Sequence, residues 1–209
     1  MMNSNEIFEN SADLYEEWFE KNNYIFDSEI LAIKQLLPIF DKGIEIGVGT
    51  GIFASLLGIK DGVEPSKNMS EKAIKRGINV ISAKAEKLPI TNESYQLVLM
   101  VTVDCFLEDI EKAFKEVWRI ISKNGYFIIA FIDRKTPLGE IYDQMKSLDE
   151  LYAHAKFHSA EEITNLLKDA GFVILEKKQT VFTLDNKLQE IKDGVGEGVF
   201  VVIKGQKRK

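Results

Sequence analysis

Gly43-Ile44-Glu45-Ile46-Gly47-Val48-Gly49-Thr50-Gly51 is the stretch of this 209-residue chain that decides its fold, and an apolar run over 52–57 follows at once. This order predicts a short strand, a Gly-x-Gly-x-Gly turn and the start of a helix. Glycines let the chain reverse sharply and let a ligand lie against bare backbone, since a β-carbon there would obstruct it. The free N–H groups at the helix start favour an anionic group. We therefore expect a ligand-binding turn at the end of the first strand.

A regular alternation of strands and helices follows the turn. The predicted strands are 44–47, 59–64, 78–82, 95–101, 126–132, 172–182 and 199–203, and the predicted helices are 50–57, 66–77, 109–122 and 159–170. Such alternation specifies a parallel sheet with helices on both faces and ligands at the carboxyl ends of the strands. The last two strands lack a clear helix between them, which predicts an antiparallel pair at the sheet edge. The sequence thus predicts a doubly wound, Rossmann-like α/β fold.

The sequence also allows predictions for two further segments and for the end of one helix. Residues 6–37 predict helix ahead of the first strand, either packed on the core or forming a lid whose Tyr15 and Trp18 face the ligand. Residues 134–157 interrupt the alternation with a polar, partly helical insertion, which we expect to set specificity. The helix over 109–122 is expected to end at Gly125 after a basic last turn. We expect one domain over 1–209.

Glu64 ends the second predicted strand, 17 residues past Gly47, about where nucleotide-binding folds present a carboxylate to ribose hydroxyls. The dinucleotide fingerprint needs Gly or Ala where this chain has Ile52, which argues against a nicotinamide-dependent oxidoreductase. The Gly-x-Gly-x-Gly turn with Glu45 resembles instead the first motif of the class I S-adenosylmethionine (SAM)-dependent methyltransferases. The order of elements over about 10–204 is similar to that family, in particular to its small-molecule, quinone- and sterol-modifying members.

The resemblance implies a set of cofactor-binding residues. They are Glu45, Gly47, Gly49 and Gly51 for the methionine part of SAM, Glu64 for the ribose, Pro65 and Met69 for the adenosine, Ala85 and Glu86 beside adenine, Val101 near the reacting sulfur, and Tyr15 from the lid. Lys84 stands where many members of the family have an Asp, which puts a side-chain contact to the adenine amine in doubt. Glu45 could instead be a buried acid bonded to loop N–H groups, and Glu64 could instead cap the next helix.

The sequence does not assign the role of general base to any one residue. Asp104, at the end of the fourth predicted strand, is the nearest candidate by position, with helix capping as its other role. We expect the lid and the insertion to wall the acceptor, with Trp18, Arg134, Tyr142, Phe157 and His158 as candidate substrate-binding residues. His158 could instead belong to the turn before a helix that Ser159 caps, with Glu162 completing a capping box.

Composition narrows the range of possible substrates, ligands and cellular locations. A net charge of −6 argues against a nucleic-acid substrate, and the single Cys105 excludes a disulfide within the chain. His154 and His158 lack a metal-binding pattern, so no metal is expected. No apolar run is long enough to span a bilayer and the N-terminal residues do not form a signal, so a cytoplasmic protein is expected. The basic end, Gln206-Lys207-Arg208-Lys209, is expected to be a solvated tail.

The expected activity is methyl transfer from SAM to a small-molecule acceptor, with S-adenosylhomocysteine as the product. SAM is already an activated donor, so orientation and exclusion of water are the expected contributions of the protein. A non-catalytic SAM-binding module and, as a weaker option, a protein methyltransferase are the alternatives. The sequence leaves open the acceptor, its nucleophilic atom and the oligomeric state.

Overall fold

Eight strands form one sheet in the computed structural model, which describes residues 8–208. They are β1 (Gly43–Ile46), β2 (Asp61–Val63), β3 (Asn79–Ile81), β4 (Tyr95–Val101), β5 (Ile121–Ile132), β6 (Val173–Thr180), β7 (Lys192–Asp193) and β8 (Phe200–Gln206). Their spatial order is β3-β2-β1-β4-β5-β8-β6-β7. Strands β1 to β5 pair in parallel. The predicted mostly parallel α/β sheet is confirmed.

The C-terminal strands form the predicted reversed pair. Strand β8 pairs antiparallel with β6, as expected, but it also pairs antiparallel with β5. The pair thus lies toward one edge of the sheet, as predicted, with β8 on its inner side between β5 and β6. The continuous burial of β8 over Phe200–Ile203 fits an inner strand, because both of its faces are covered.

Seven α-helices are present within residues 8–208 in addition to a helical start at 8–10. They are α1 (Ala12–Lys21), α2 (Asn23–Leu36), α3 (Ile52–Leu57), α4 (Lys67–Lys75), α5 (Ile110–Ile120), α6 (Pro137–Met145) and α7 (Ala160–Asp169). The helix expected over 6–37 is thus divided between α1 and α2, and residues 6–7 lie outside the described part. Asn22 marks the break: its φ and ψ of −118° and 38° are not helical, and its side-chain amide donates to the Trp18 carbonyl at 2.9 Å.

The core lies on both faces of the sheet. In β4, Leu97 and Leu99 point to one face while Val98 and Met100 point to the other, and all four are fully buried. The first face packs against α2 and α3, and the second against α5 and α7. Burial on both faces explains why this strand reads as one continuous apolar run.

The junction between α5 and β5 differs from the expectation. Helix α5 ends at Ile120, and Asn124, not Gly125, takes the left-handed conformation, with φ of 62°. Gly125 is required for a different reason: a β-carbon there would lie 2.8 Å from the Gln96 carbonyl oxygen. The strand begins at once because Ile121 pairs with Tyr95 of β4.

The expected solvated C-terminal tail was also wrong at Lys207. This side chain is almost fully buried, and its Nζ donates to the Trp118 and Ile121 carbonyl oxygens at 3.0 and 2.8 Å. It also lies 4.0 Å from the centre of the Trp118 ring. Lys207 therefore stabilises the end of α5, where carbonyl groups lack helical partners and favour a cation. Over residues 8–208, no helix has the length and apolar character to cross a membrane.

Candidate active site

The glycine turn between β1 and α3 is built from three residues with positive φ. Gly47, Gly49 and Gly51 have φ of 69°, 53° and 79°, a region that L side chains rarely adopt. A β-carbon on Gly47 would lie 2.4 Å from Val103 Cγ2, and one on Gly51 would lie 3.1 Å from the Ala73 backbone. At Gly49 the nearest atoms belong to the Tyr15 ring, at 3.8 Å. Gly49 is therefore the glycine that offers bare backbone to an open space.

The Glu64 carboxylate joins the end of β2 to this turn. Its Oε2 accepts a hydrogen bond from the Gly49 N–H at 3.0 Å, and its Oε1 accepts one from the Ser66 N–H at 2.9 Å. Burial raises the pKa of Glu64, while the Ser66 and Gly49 N–H groups oppose that rise. A carboxylate has about four acceptor positions, so two hydrogen bonds leave capacity for a ligand's hydroxyl groups. Helix α4 is capped by Ser66, whose Oγ accepts from the Met69 N–H, and not by Glu64.

Glu45 lies beneath the turn and is almost completely buried. Burial raises its pKa well above the usual range; the Ala54 N–H at the start of α3 opposes this, and the charge of Glu64 adds to it. Within residues 8–208, the Glu45 Oε2 atom has no hydrogen-bond partner. Buried acceptors in proteins nearly always have a partner, so an unsatisfied one beside a ligand-binding turn fits a bound group that supplies a donor or positive charge.

A cleft of about 920 Å³, measured out to its open mouth, lies above the turn at the carboxyl ends of β1, β2 and β4. We call it the turn cleft. Most of the predicted cofactor-binding residues line it: Tyr15, Gly47, Gly49, Glu64, Pro65, Met69, Ala85, Glu86 and Val101. Glu45 and Gly51 are outside this lining, and their binding roles stay predictions. The sequence did not point to Phe8, Leu151 and Tyr152, which also line the cleft.

The 83–89 segment closes one side of the turn cleft. Glu86 Oε1 accepts the Glu108 N–H at 3.0 Å, which fastens this segment to the loop after β4. Lys84, at the family's Asp position, forms an ion pair with the Glu108 side chain at 2.7 Å. Lys84, which replaces the Asp of the family pattern, is therefore engaged in a surface ion pair at the rim of the cleft.

A second cavity adjoins the first, at the carboxyl ends of β4, β5 and β6, and we call it the inner cavity. Its lining consists of Tyr15, Trp18, Phe19, Ile25, Glu29, Phe53, Thr102, Ile132, Tyr142, Asp149, Leu151, Tyr152, Val181, Val199 and Phe200. Tyr15, Thr102, Leu151 and Tyr152 line both cavities. The inner cavity thus lies between the N-terminal helices and the 134–157 segment, and the two spaces meet at a shared wall.

Two residues of the inner cavity have unusual backbone conformations. Thr102 and Val181 have φ of 51° and 60°, which is an outlier for a β-branched side chain. Conformations of this kind cost on the order of 1–3 kcal/mol each and cluster at ligand-binding and catalytic sites. Thr102 follows β4 at the shared wall, and Val181 follows β6 on the opposite side of the inner cavity.

The predicted substrate-binding residues divide between the cavity and its surroundings. Trp18 and Tyr142 line the inner cavity. Arg134 does not, because its guanidinium makes two hydrogen bonds to the Glu162 carboxylate, at 2.6 and 3.2 Å, and lowers the pKa of Glu162 to about 2. Phe157 is also away from the cavity, buried against the Tyr152 ring with centroids 5.4 Å apart.

Asp104 and His158 form a buried pair outside both linings. His158 Nδ1 lies 2.9 Å from Asp104 Oδ2, and the two side chains are 11% and 2% exposed. Burial raises the pKa of Asp104, and the hydrogen bond from His158 opposes that rise. Ser159, next in the chain, forms the capping box of α7 with Glu162 that was the alternative for this segment. The geometry therefore gives Asp104 and His158 a packing role here, not a position at a cavity.

No group of three or more His, Cys, Asp or Glu side chains arranged to hold a metal ion occurs in the described part of the chain. The titratable groups that line the two cavities are carboxyl and phenol groups and the Lys84 ammonium. Burial, followed by the charge of Glu29, raises the pKa of Tyr142 to about 12. Burial also raises the pKa of Tyr15 and Tyr152 well above their ordinary value. These phenols are neutral near pH 7 and can donate or accept hydrogen bonds.

Comparison with known proteins agrees with this geometry. Residues 44–129 match a family model described as a methyltransferase domain. A Thermotoga maritima structure, described as a SAM-dependent methyltransferase and possible histamine N-methyltransferase, is 45% identical with a TM-score of 0.93, covering 96% of this chain and 98% of its own. An uncharacterized protein of Methanocaldococcus jannaschii is 42% identical over 96% of this chain and 98% of its own length. An uncharacterized Mycobacterium tuberculosis protein is 33% identical over 81% of this chain and 61% of its own length.

The matched region begins in β1 and ends within β5, so it includes the glycine turn, Glu64 and most of the turn cleft. The T. maritima match covers 96% of this chain and therefore extends well beyond residues 44–129. Fold, turn geometry and sequence identity agree: the chain belongs to the class I SAM-dependent methyltransferases.

Proposed function

We propose that the enzyme transfers the methyl group of SAM to a nucleophilic atom of a small-molecule acceptor bound in the inner cavity. The shared wall of the two cavities carries this proposal. Tyr15, Thr102, Leu151 and Tyr152 line both spaces, so a ligand in the inner cavity would lie next to a ligand in the turn cleft. Small-molecule sites are typically concave and largely apolar with few polar groups, and the inner cavity has that character.

The residues of the turn cleft fit SAM. Glu64 keeps acceptor capacity for ribose hydroxyls. Beneath the turn, outside the cleft lining, the unsatisfied Oε2 of Glu45 suits the positive charge of the methionine part. The Gly49 backbone, with Pro65 and Met69, supplies close-approach and apolar surface. When bound, SAM supplies an activated methyl group on a sulfonium. The roles of Ala85 and Glu86 beside adenine rest on their place in the cleft lining and on the family resemblance.

The chain's own contribution is orientation and exclusion of water. Phe19, Phe53 and Phe200 form an apolar floor, which keeps competing water away from an acceptor. Holding two reactants in a productive arrangement can supply on the order of 7–11 kcal/mol of barrier reduction. The neutral tyrosines of the shared wall can position an acceptor by hydrogen bonds without taking a proton from it.

We further propose that α1 and α2 serve as the lid and that the 134–157 segment serves as the acceptor-side insertion of a single domain. Helix α1 is attached to α4 by Lys72, whose Nζ lies 2.6 Å from Asp13 Oδ1 and 3.0 Å from Glu16 Oε2. Arg76, the C-terminal cap residue of α4, donates to the Thr50 carbonyl of the glycine turn at 3.0 Å. These contacts support a lid whose Tyr15 is held over Gly49.

Isothermal titration with SAM, S-adenosylhomocysteine and NAD tests the cofactor, and a S-adenosylhomocysteine release assay over a metabolite panel tests the reaction. We expect binding of the two adenosyl ligands only, and turnover with a small molecule. Amines belong in the panel because the T. maritima relative is described as a possible histamine N-methyltransferase. Binding without turnover for any acceptor would favour a non-catalytic module. Turnover confined to protein acceptors would favour a protein methyltransferase, and either result would contradict the proposal.

A further inference from the structure

We propose that Glu29 anchors a basic nitrogen of the acceptor, so that the inner cavity selects small amines whose remaining body is mostly apolar. This inference rests on the proposed role of the inner cavity as the acceptor site. Glu29 lies in α2 and lines the inner cavity but not the turn cleft. The anchor is therefore on the acceptor's side of the shared wall.

Glu29 is a buried carboxyl group without a partner in the described part of the chain. It is 9% exposed, and no residue of 8–208 gives it a hydrogen bond or an ion pair. Burial alone raises its pKa, to about 8. Other buried acids of this protein are held by the chain: Glu64 accepts two backbone N–H groups, and Asp104 is bonded to His158. Glu29 differs because it lines the inner cavity and residues 8–208 supply no donor to its carboxyl group.

A carboxyl group in such surroundings costs stability unless something compensates it. Removing an ionised carboxylate from water without a partner is so unfavourable that the group takes up a proton instead. Its neighbours on the same helix face are Ile25, Phe26, Ala32 and Ile33, all buried, so an apolar side chain at position 29 would pack without that cost. A ligand that donates a charged N–H group would satisfy the carboxylate, since charge-assisted hydrogen bonds are about twice as strong as neutral ones.

The charge of the inner cavity favours the same class of ligand. Glu29 and Asp149 are acidic, and the described residues that line the cavity include no Lys or Arg. Trp18 and Phe19 present aromatic rings, which attract cations through their faces. An acceptor with a carboxylate or phosphate group would meet repulsion and no cationic partner. An aliphatic or aromatic amine would meet both an acid and apolar walls.

The groups that face Glu29 from the other elements do not replace a ligand. Tyr15 of α1, Tyr142 of α6, and Asp149 and Tyr152 of the following loop are the other titratable groups of the cavity. The charge of Glu29 contributes to the raised pKa of all three tyrosines, with burial as the main cause in each. Neutral phenols and a second acid supply no positive charge. The positive charge that would compensate an ionised Glu29 carboxylate must therefore come from the acceptor.

Titration calorimetry on protein saturated with S-adenosylhomocysteine tests the proposal without requiring turnover. The probes are amines and their alcohol counterparts, such as 2-phenylethylamine with 2-phenylethanol, histamine with imidazole-ethanol, and 3-methylbutylamine with 3-methylbutanol. In the wild type we expect at least one amine to bind about tenfold or more tightly than its alcohol. Glu29→Gln should abolish that preference and leave S-adenosylhomocysteine affinity within about twofold. Asp27→Asn removes an exposed acid of the same helix and should preserve the preference.

Two results would overturn the proposal: no amine preferred over its alcohol by the wild type, or a preference that persists in Glu29→Gln. If that variant does not fold, the wild-type Glu29 carboxyl signal in ¹³C NMR gives the answer. Its titration midpoint should fall by about one pH unit or more when the best amine binds, and an unchanged midpoint counts against the anchor. A protein that prefers amines in binding but never releases S-adenosylhomocysteine would contradict the proposed function and not this inference.

Discussion

The Glu64 carboxylate lies 3.0 Å from the Gly49 N–H and accepts a hydrogen bond from it. The contact follows from the sheet, because β1 and β2 are parallel neighbours in which Ile46 pairs with Val63. Their carboxyl ends therefore meet at one edge, and the turn after β1 reaches the acid after β2. Ligands of open α/β sheets bind at this edge. A single hydrogen bond thus joins the two features on which the cofactor site depends.

Replacing Glu64 tests its assignment to the ribose. Glu64→Ala should weaken SAM binding by about 10- to 100-fold, because a hydrogen bond to a charged group contributes about 1.5–3 kcal/mol. Isothermal titration at pH 7 measures the change. Glu71→Ala, which removes an exposed acid of α4, should leave SAM affinity unchanged. Equal affinity of wild type and Glu64→Ala would remove the ribose role.

Gly47 and Gly58 form a matched pair for testing why glycine is needed in the turn. Both have positive φ, 69° and 75°, but a β-carbon at Gly58 would meet nothing within 4 Å, whereas one at Gly47 would lie 2.4 Å from Val103 Cγ2. Gly58→Ala should lower the unfolding free energy by about 1–2 kcal/mol, because alanine is strained in the left-handed conformation. Gly47→Ala should cost more, because overpacking adds to that strain.

Urea unfolding of the single variants and of Gly47→Ala with Val103→Ala measures this difference. Removing the Val103 methyl groups should recover part of the Gly47→Ala loss, which appears as a favourable coupling in the double-mutant cycle. If the two glycine variants lost equal stability, or if the cycle showed additivity, the close approach to Val103 would not be what requires glycine at position 47.

The sheet and the cofactor cleft could be predicted because their signals are local. Strand β4 was predicted with its exact bounds, Tyr95–Val101, since a strand buried on both faces is continuously apolar. The turn glycines and Glu64 follow from spacing along the chain. The continuous apolar run over 199–203 indicates burial on both faces, but the location of β8 between β5 and β6 is a matter of long-range pairing that no local pattern specifies.

The acceptor side was harder to predict, because it is assembled from distant segments. Tyr152 lines both cavities, yet Phe157 was the aromatic residue of this segment that was predicted to contact the acceptor. The segment is irregular, so the spacing of its residues does not indicate which ring faces a cavity. Arg134 was expected at the acceptor but binds Glu162, a partner 28 positions away. The spacing of the apolar residues could have identified Glu29. It lies four residues from both Ile25 and Ile33, on the buried face of its helix.

Asp104 gives a test that separates a structural from a catalytic role. Asp104→Ala should lower the unfolding free energy by about 1.5–3 kcal/mol, because His158 loses its buried partner. His158→Ala should cost a similar amount, and the double variant should cost less than the sum, since both remove one interaction. A general base contributes about 10²- to 10⁴-fold to a rate. We therefore expect kcat of Asp104→Ala, measured by S-adenosylhomocysteine release, to stay within about tenfold of wild type, and a larger loss with unchanged folding would restore Asp104 as a base.

Glu29 also predicts how stability depends on pH. Its pKa is about 8 in the folded protein against an ordinary value of 4.5, so the folded state holds a proton that the unfolded state releases between these values. Stability from this group is therefore undiminished below pH 4.5 and falls as the pH rises toward 8, by up to about 5 kcal/mol. Glu45 and Glu64 also have raised pKa values, so the wild-type curve alone does not isolate Glu29. The quantity to measure is the difference in unfolding free energy between Glu29→Gln and wild type, from urea unfolding at pH 5, 6, 7 and 8. That difference should grow in favour of the variant with rising pH, while Asp27→Asn should run parallel to wild type; parallel curves for all three proteins would mean that Glu29 is not an uncompensated buried acid.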